Sequence, residues 1–133
     1  MKLFIDTNIF ISAIFGEEER SEIAKEVLNL EVDKYTSLLN LMEIRSVLSK
    51  KKQISKKEIE KVIDDIIHGT EIVIPDSSSF IQSSEFQKEN YLYPSDCLIL
   101  TLSRTQNSTL VSFDSELIHH GAVKPEKILE DHR

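Results

Sequence analysis

The chain has no tryptophan, one cysteine, three glycines and three prolines among its 133 residues. A single cysteine cannot form an intramolecular bridge, so Cys97 excludes a disulfide framework and fits a reducing cytosol. So few glycines and prolines leave few breakers, and most of the chain is expected in regular elements. Long apolar runs are also missing. Thr7 to Gly16 is uncharged but too short to cross a bilayer, and Asp6 interrupts the opening apolar stretch too early for a signal peptide. No targeting signal is apparent, and the expected location is the cytoplasm. There is no glycine-rich phosphate loop, which argues against nucleoside triphosphate chemistry. Repeats, low-complexity tracts and linkers are absent too. Basic residues are outnumbered by acids, 16 to 23, for a formal net charge of −7. Taken alone, that balance argues against a nucleic-acid partner, because phosphate binding is driven by Lys and Arg. Two divalent cations would bring the charge to about −3 and place positive charge where a phosphate approaches. The composition thus leaves two options: no polyanionic partner, or one reached through metals and a local basic face.

What is present suits one compact α/β domain over residues 1–133, with 40% hydrophobic residues. Leu3 to Ile5 is too short for a helix and reads as a strand buried on both faces. Thr7 and Asn8 then begin a helix. Gly16 to Glu19 reads as an acidic surface loop, with Ser21 capping a helix that buries Ile23, Ala24, Val27, Leu28 and Leu30. Asp33 to Ser37 is a short strand, and Leu38 to about Ser49 a helix burying Leu41, Ile44 and Leu48. Ser55 and Glu58 form a capping box for a helix with an apolar stripe at Ile59, Val62, Ile63, Ile66 and Ile67, closed by His68-Gly69. Glu71 to Ile74 is a third strand, stopped by Pro75. A polar helix runs from Ser77 to Asn90, and Pro94 opens an apolar one holding Cys97, Leu98, Ile99, Leu100 and Leu102. Thr109 to Phe113 is a fourth strand, followed by a short helix ending at His119-His120-Gly121. Ala122-Val123 adds a small edge strand before a final turn of helix from Pro125. Alternating strands and helices imply a mainly parallel sheet of four to five strands flanked by helices.

Four acids stand at junctions of this pattern. Asp6 ends the first strand, Glu43 lies at the margin of an apolar helix face, Asp96 is in the first turn of the Pro94 helix, and Asp114 follows the fourth strand. Each has an ordinary reading: helix caps for Asp6 and Asp114, a surface acid for Glu43, a dipole partner for Asp96. Their joint placement says more. Asp6 and Asp114 end parallel strands on the same edge of the sheet, where open α/β sheets hold ligands. Asp96 begins a helix that packs beside those ends. Carboxylates brought this close repel by several kcal/mol unless a cation neutralises them. Oxygen ligands without a His or Cys cluster suit Mg²⁺ or Mn²⁺ rather than zinc.

Phe4-Ile5-Asp6-Thr7-Asn8-Ile9-Phe10, Met42-Glu43-Ile44 with Val47-Leu48, Pro94-Ser95-Asp96-Cys97-Leu98-Ile99 and Leu110-Val111-Ser112-Phe113-Asp114 occur in an order and spacing that resemble the PIN-domain family, in particular its VapC-like toxin ribonucleases of toxin–antitoxin modules. The resemblance implies that Asp6, Glu43, Asp96 and Asp114 form an acidic site binding Mg²⁺ or Mn²⁺. It implies RNA phosphodiester hydrolysis by activated water, leaving a 3′-hydroxyl and a 5′-phosphate, with Asn8 and Ser112 supporting the site by hydrogen bonds. It also implies a homodimer and a cognate antitoxin; the helix from Ser77 to Asn90 is a candidate dimer face. Members often carry Thr where this chain has Ser112, a polar residue at Phe113 and an aromatic at Leu117.

The one dense basic patch, Lys50-Lys51-Lys52 with Lys56 and Lys57, is a candidate contact for an RNA backbone, balanced by its ordinary reading as a solvated helix end. Arg45 is positioned to pair with a carboxylate. Tyr91 and Tyr93 are expected to cover the core beside Pro94, with base stacking as the alternative. Glu116 reads as a solvated helix residue, with metal ligation as its alternative. His119-His120 is expected to act only as a helix stop. Rival functions are a phospho-accepting receiver-like signalling domain and a catalytically silent PIN fold used for RNA binding or as a scaffold. The receiver needs two adjacent acids after its first strand and an acceptor Asp ending its third; here Asp6 is followed by Thr7, and Val73-Ile74-Pro75 closes the third.

Overall fold

Strand β1 (Lys2–Ile5) runs down the middle of the molecule and alternates its side chains between two apolar layers. Leu3 and Ile5 face one way, into a cluster with Ile9, Val27, Leu41, Ile44, Leu48, Ile59, Ile63 and Ile128. Phe4 faces the other way, among Leu92, Cys97, Leu98, Leu102, Leu110 and Leu117. A computed structural model describes residues 1–132. The elements that follow are α1 (Thr7–Phe15), α2 (Glu18–Leu28), β2 (Asp33–Ser37), α3 (Leu38–Ser46), α4 (Lys56–Gly69), β3 (Glu71–Val73), α5 (Ser77–Asn90), α6 (Pro94–Thr105), β4 (Thr109–Val111), α7 (Ser115–His119) and α8 (Pro125–His132). The four strands pair in parallel in the order β3-β2-β1-β4.

That order makes the site. From β1 the chain moves outward on one side through β2 and β3, then returns past β1 to place β4 on its other side. The reversal opens a crevice between the carboxyl ends of β1 and β4, the place where such sheets hold ligands. Asp6 N–H bonds to Val111 O at 3.1 Å, and Ser112 N–H to Val123 O at 3.1 Å, so the residues just past both strands are held by backbone.

Several expected boundaries move. The acidic segment is helix from Glu18, because Glu18 and Glu19 in a first turn favour the positive helix end. Ser21 is therefore inside α2 rather than its cap; it is buried and donates to Ala13 O at 3.1 Å, tying α2 to α1. Helix α3 ends at Ser46 and continues as a π turn over Val47–Lys51, with Lys52 N–H reaching Val47 O at 3.1 Å. Ser55 Oγ accepts from Glu58 N–H at 3.3 Å, the forward half of the expected box. In α4 the stripe is narrower than read: Ile59, Ile63 and Ile66 are buried, Val62 partly, and Ile67 faces solvent. Strand β3 ends at Val73, leaving Ile74 exposed, and β4 ends at Val111. Ala122-Val123 contributes one bridge to Val111, not a strand, and α8 is longer than a single turn.

Gly16 closes α1 through its N–H to Ser12 O at 2.9 Å, and a Cβ there would meet that same oxygen at 2.5 Å. Gly16→Ala is expected to cost about 1–3 kcal/mol through the forced backbone shift. Gly69, the last residue of α4, has open space around it, so Gly69→Ala is expected to gain about 0.5–1 kcal/mol. Opposite shifts of the two denaturant midpoints would check the pair.

Candidate active site

Asp6 lies just past β1, buried, and its Oδ1 accepts from Thr7 N–H at 2.8 Å as the cap of α1. Its other oxygen, Oδ2, accepts from Ser112 Oγ at 2.7 Å. The proton directions follow from the backbone. Phe113 N–H can only donate, and it bonds to Asn8 Oδ1 at 3.2 Å, which turns the Asn8 amide nitrogen toward Ser112 Oγ at 3.0 Å. Asp114 N–H donates to the same hydroxyl at 3.0 Å. With both lone pairs engaged, Ser112 has its own proton left for Asp6. Asn8 and Ser112 thus form a chain of hydrogen bonds onto Asp6, which is held as an acceptor on both oxygens.

A second chain of the same design ends on Glu43. Ser37 N–H bonds to Asn40 Oδ1 at 3.1 Å, which turns the Asn40 amide nitrogen toward Thr7 Oγ1 at 3.0 Å. Thr7 then donates to Glu43 Oε1 at 3.1 Å. Ser37 and Asn40 also close a reciprocal cap on α3, since Asn40 N–H bonds to Ser37 Oγ at 3.1 Å. Backbone N–H, Asn amide, hydroxyl and carboxylate occur in the same order in both relays. Thr7 and Asn40 were not singled out by the sequence; the signal present is Ser37-x-x-Asn40 directly after a strand, a capping pattern with one amide atom to spare.

The electrostatics join these acids to Asp96 and Asp114. Burial is the main cause raising the pKa of Asp6, with Asp114 adding to it, against the bonds from Ser112 and Thr7. Glu43 is raised by burial first and then by Asp6 and Asp96, against the Thr7 bond. Asp96, in the first turn of α6, is pushed up to about 6 by burial and by Asp114, Asp6 and Glu116. Among the described residues the five ion pairs all lie elsewhere, and none touches these acids. Arg45 pairs with Glu60, with Nε to Oε2 at 3.0 Å and Nη2 to Oε1 at 3.0 Å.

The carboxylates face one another without closing on a common centre: among the described residues no group of three is gathered tightly enough for a ready-made ion cage. Asp114 explains part of this. It is exposed, and its Oδ1 is turned to cap α7, accepting from Glu116 N–H at 2.8 Å and Leu117 N–H at 3.3 Å. Like charges keep such groups apart until a cation draws them in. The donor set itself, anionic oxygen throughout, fits Mg²⁺ or Mn²⁺. At the rim, Arg20 of α2 stacks its guanidinium 4.3 Å over the ring of Phe113, next to Asp114. Lys50, Lys51 and Lys52 are exposed on the π turn and at its end, and Lys50 lies about 10 Å along the helix axis from Glu43. Tyr91 and Tyr93 do not cover the core: they are 86% and 73% exposed, because buried Leu92 between them fills that place.

The sequence matches the family model "PIN domain" over residues 3–123. It matches no curated protein significantly. Among solved structures it is similar to a toxin–antitoxin complex from Klebsiella pneumoniae, at 21% identity and a TM-score of 0.72, covering 92% of this chain and 97% of that one. It is similar also to Mycobacterium tuberculosis VapC20, described as a sarcin-ricin loop cleaving toxin, at 16% identity and 0.75, with 91% and 96% covered. A third neighbour is PAE2754 from Pyrobaculum aerophilum, at 13% and 0.73, with 98% and 94% covered. At these identities the likeness to the structures is one of fold. The family model spans nearly the whole chain, from β1 to the bridge beside β4, and on that match the chain belongs to the PIN domain family.

Proposed function

We propose that this protein is a divalent-metal-dependent endoribonuclease, the toxin of a toxin–antitoxin module. The observation that supports the reading is that Asp6, Glu43, Asp96 and Asp114 act on one another's charge while none of them has an ion-pair partner among the described residues. These four carboxylates would hold Mg²⁺ or Mn²⁺, in the cytoplasm where such proteins act. Bound cations lower the pKa of water and offset the charge that gathers on a phosphate in displacement. The water oxygen bonds to phosphorus while the bond from phosphorus to O3′ breaks; water gives up a proton and the leaving oxygen gains one. The products are a 3′-hydroxyl and a 5′-phosphate. Asn8 and Ser112 keep Asp6 aligned, and Thr7 with Asn40 does the same for Glu43. Lys50, Lys51 and Lys52, together on one turn, contact the RNA backbone away from the cut.

The likeness to toxin–antitoxin complexes from Klebsiella pneumoniae and Rickettsia felis supports a protein antitoxin as partner. A homodimer is proposed with it, the exposed Phe80 and Ile81 on α5 suiting a contact between copies. A receiver-like role has little to stand on, since β3 ends at Val73 with Ile74 and Pro75 where an acceptor acid is needed. The deciding assay is cleavage of structured RNA with Mn²⁺, with excess chelator, and with Mn²⁺ restored. Cleavage is expected to vanish and return. Cleavage that survives chelation would overturn the metal reading, and no cleavage under any metal would favour the silent scaffold. Replacing Lys50, Lys51 and Lys52 together with Ala should raise KM and flatten its salt dependence, leaving kcat near the wild-type value.

A further inference from the structure

We propose that a groove walled by Tyr91 and Tyr93 binds a nucleobase of single-stranded RNA beside the acidic crevice; the inference rests on the ribonuclease reading. Both rings point away from the core while Leu92 anchors the segment between them. Tyr91 also closes α5 in the left-handed region, at φ 49° and ψ 41°, where glycine or asparagine is the ordinary choice. A large ring in that conformation with no packing role inside the protein is available to something outside it.

The groove measures about 440 Å³, within the usual range for small-ligand sites, and Gln87, Pro94 and Glu116 complete its walls. It adjoins the crevice on two sides. Pro94 opens α6 two residues before Asp96, and Glu116 is near enough to Asp96 to act on its charge. Its polar chemistry is weighted toward acceptors. The Gln87 amide nitrogen spends one of its two hydrogens on Leu92 O at 3.0 Å, leaving the amide oxygen to accept, and Glu116 adds a carboxylate. Such a groove repels a phosphate and suits a stacked base whose edge carries N–H donors, guanine above uracil.

The test reads fluorescence anisotropy of short labelled single-stranded RNAs, one guanosine-rich and one uridine-rich, with Ca²⁺ as the cation to keep turnover out of the measurement. Tyr91→Asn removes a ring at a position that asparagine tolerates, and Tyr93→Ala removes the other. Each is expected to weaken the guanosine-rich RNA about 5- to 100-fold, while Tyr91→Phe and Tyr93→Phe stay within about twofold of wild type. An abasic site in the RNA should weaken binding to wild type and to the Phe variants but add little to the ringless ones. RNA affinity unchanged in both ringless variants, with Tm retained, would overturn the assignment and leave the rings to a protein partner. Equal affinity for the two RNAs would overturn the donor-edge preference. Because binding is read without cleavage, a wild type that binds RNA through the rings yet never cuts it sinks the ribonuclease reading and not the groove.

Discussion

Asp96→Asn is expected to lower RNA cleavage by about a hundredfold or more while raising the melting temperature of the metal-free protein. The two effects share one cause. The carboxyl of Asp96 is pushed up to about 6 by burial and by three neighbouring acids, so at neutral pH the metal-free fold holds a charge against its environment. A shift of about two pKa units corresponds to about 3 kcal/mol, which solvent screening reduces to about 1–2. For a chain of this length that is about 3–6 °C. The neutral amide removes the repulsion and the ligand together. Loss of function with gain of stability is the signature of a group placed for work rather than for folding. The pH dependence has a definite sign. The folded value lies above the ordinary 3.8, so the associated stability is complete below that value and is lost as pH rises through about 6. Metal-free wild type should therefore melt higher at pH 5 than at pH 7.5, and Asp96→Asn should show a smaller difference. Differential scanning calorimetry in chelator, with cleavage assayed in Mn²⁺, checks both. An Asp96→Asn protein that melts lower than wild type in chelator sinks the account. Asp6→Asn is not an equivalent test. Its amide would set an N–H against either Thr7 N–H or Ser112 O–H, both already donors, so stability should fall with activity.

Thr7→Val is expected to weaken Mn²⁺ binding about 10- to 100-fold, the usual cost of losing a group that orients a ligand. The side chain keeps its shape and loses the proton that fixes Glu43 Oε1. It also strands the Asn40 amide nitrogen, for a further stability cost of about 1–3 kcal/mol. Thr7→Ser retains the hydroxyl and should recover most of the affinity. Asn40→Asp separates capping from orientation. One carboxylate oxygen can still accept from Ser37 N–H, but the other now accepts the Thr7 proton and draws it away from Glu43. Isothermal titration with Mn²⁺ across the three variants, with circular dichroism for folding, reads the difference. Wild-type Mn²⁺ affinity in folded Thr7→Val would show that Glu43 needs no such guide.

The strands were legible because their signal is local, apolar runs that stop at a polar residue, and two of the acids proposed for the site, Asp6 and Asp114, stand out by following such runs. The cap duties of Asp6 and Asp114 were legible too, and the structure keeps them alongside the crevice, since a carboxylate has lone pairs enough for both. What escaped was relational. The Ser37-x-x-Asn40 pattern marks Asn40 as a helix cap and no more until Thr7, 33 positions earlier, is found against it. The acidic run at Glu17 to Glu19 reads as a loop by charge alone, yet Glu17 caps a helix and Glu18 and Glu19 form its first turn, at the positive end. Tyr91 and Tyr93 look like cover for a core only until Leu92 is seen to fill that volume. Asp6, Glu43, Asp96 and Asp114 act on one another's charge, while among the described residues no group of three stands as a finished coordination shell.

The bond from Ser112 to Asp6 joins residues 106 apart. Ribosomes add about 5–20 residues each second, so roughly 5–20 s separate the emergence of the two partners. Throughout that interval β1 has no β4 beside it, Ser112 and Asp114 do not yet exist, and the pocket lacks half its wall. On the ribonuclease reading proposed above, cutting has to wait for β4 and the polar residues after it, and the sheet's central placement of an early strand sets the order in which the two sides of the crevice can come to exist.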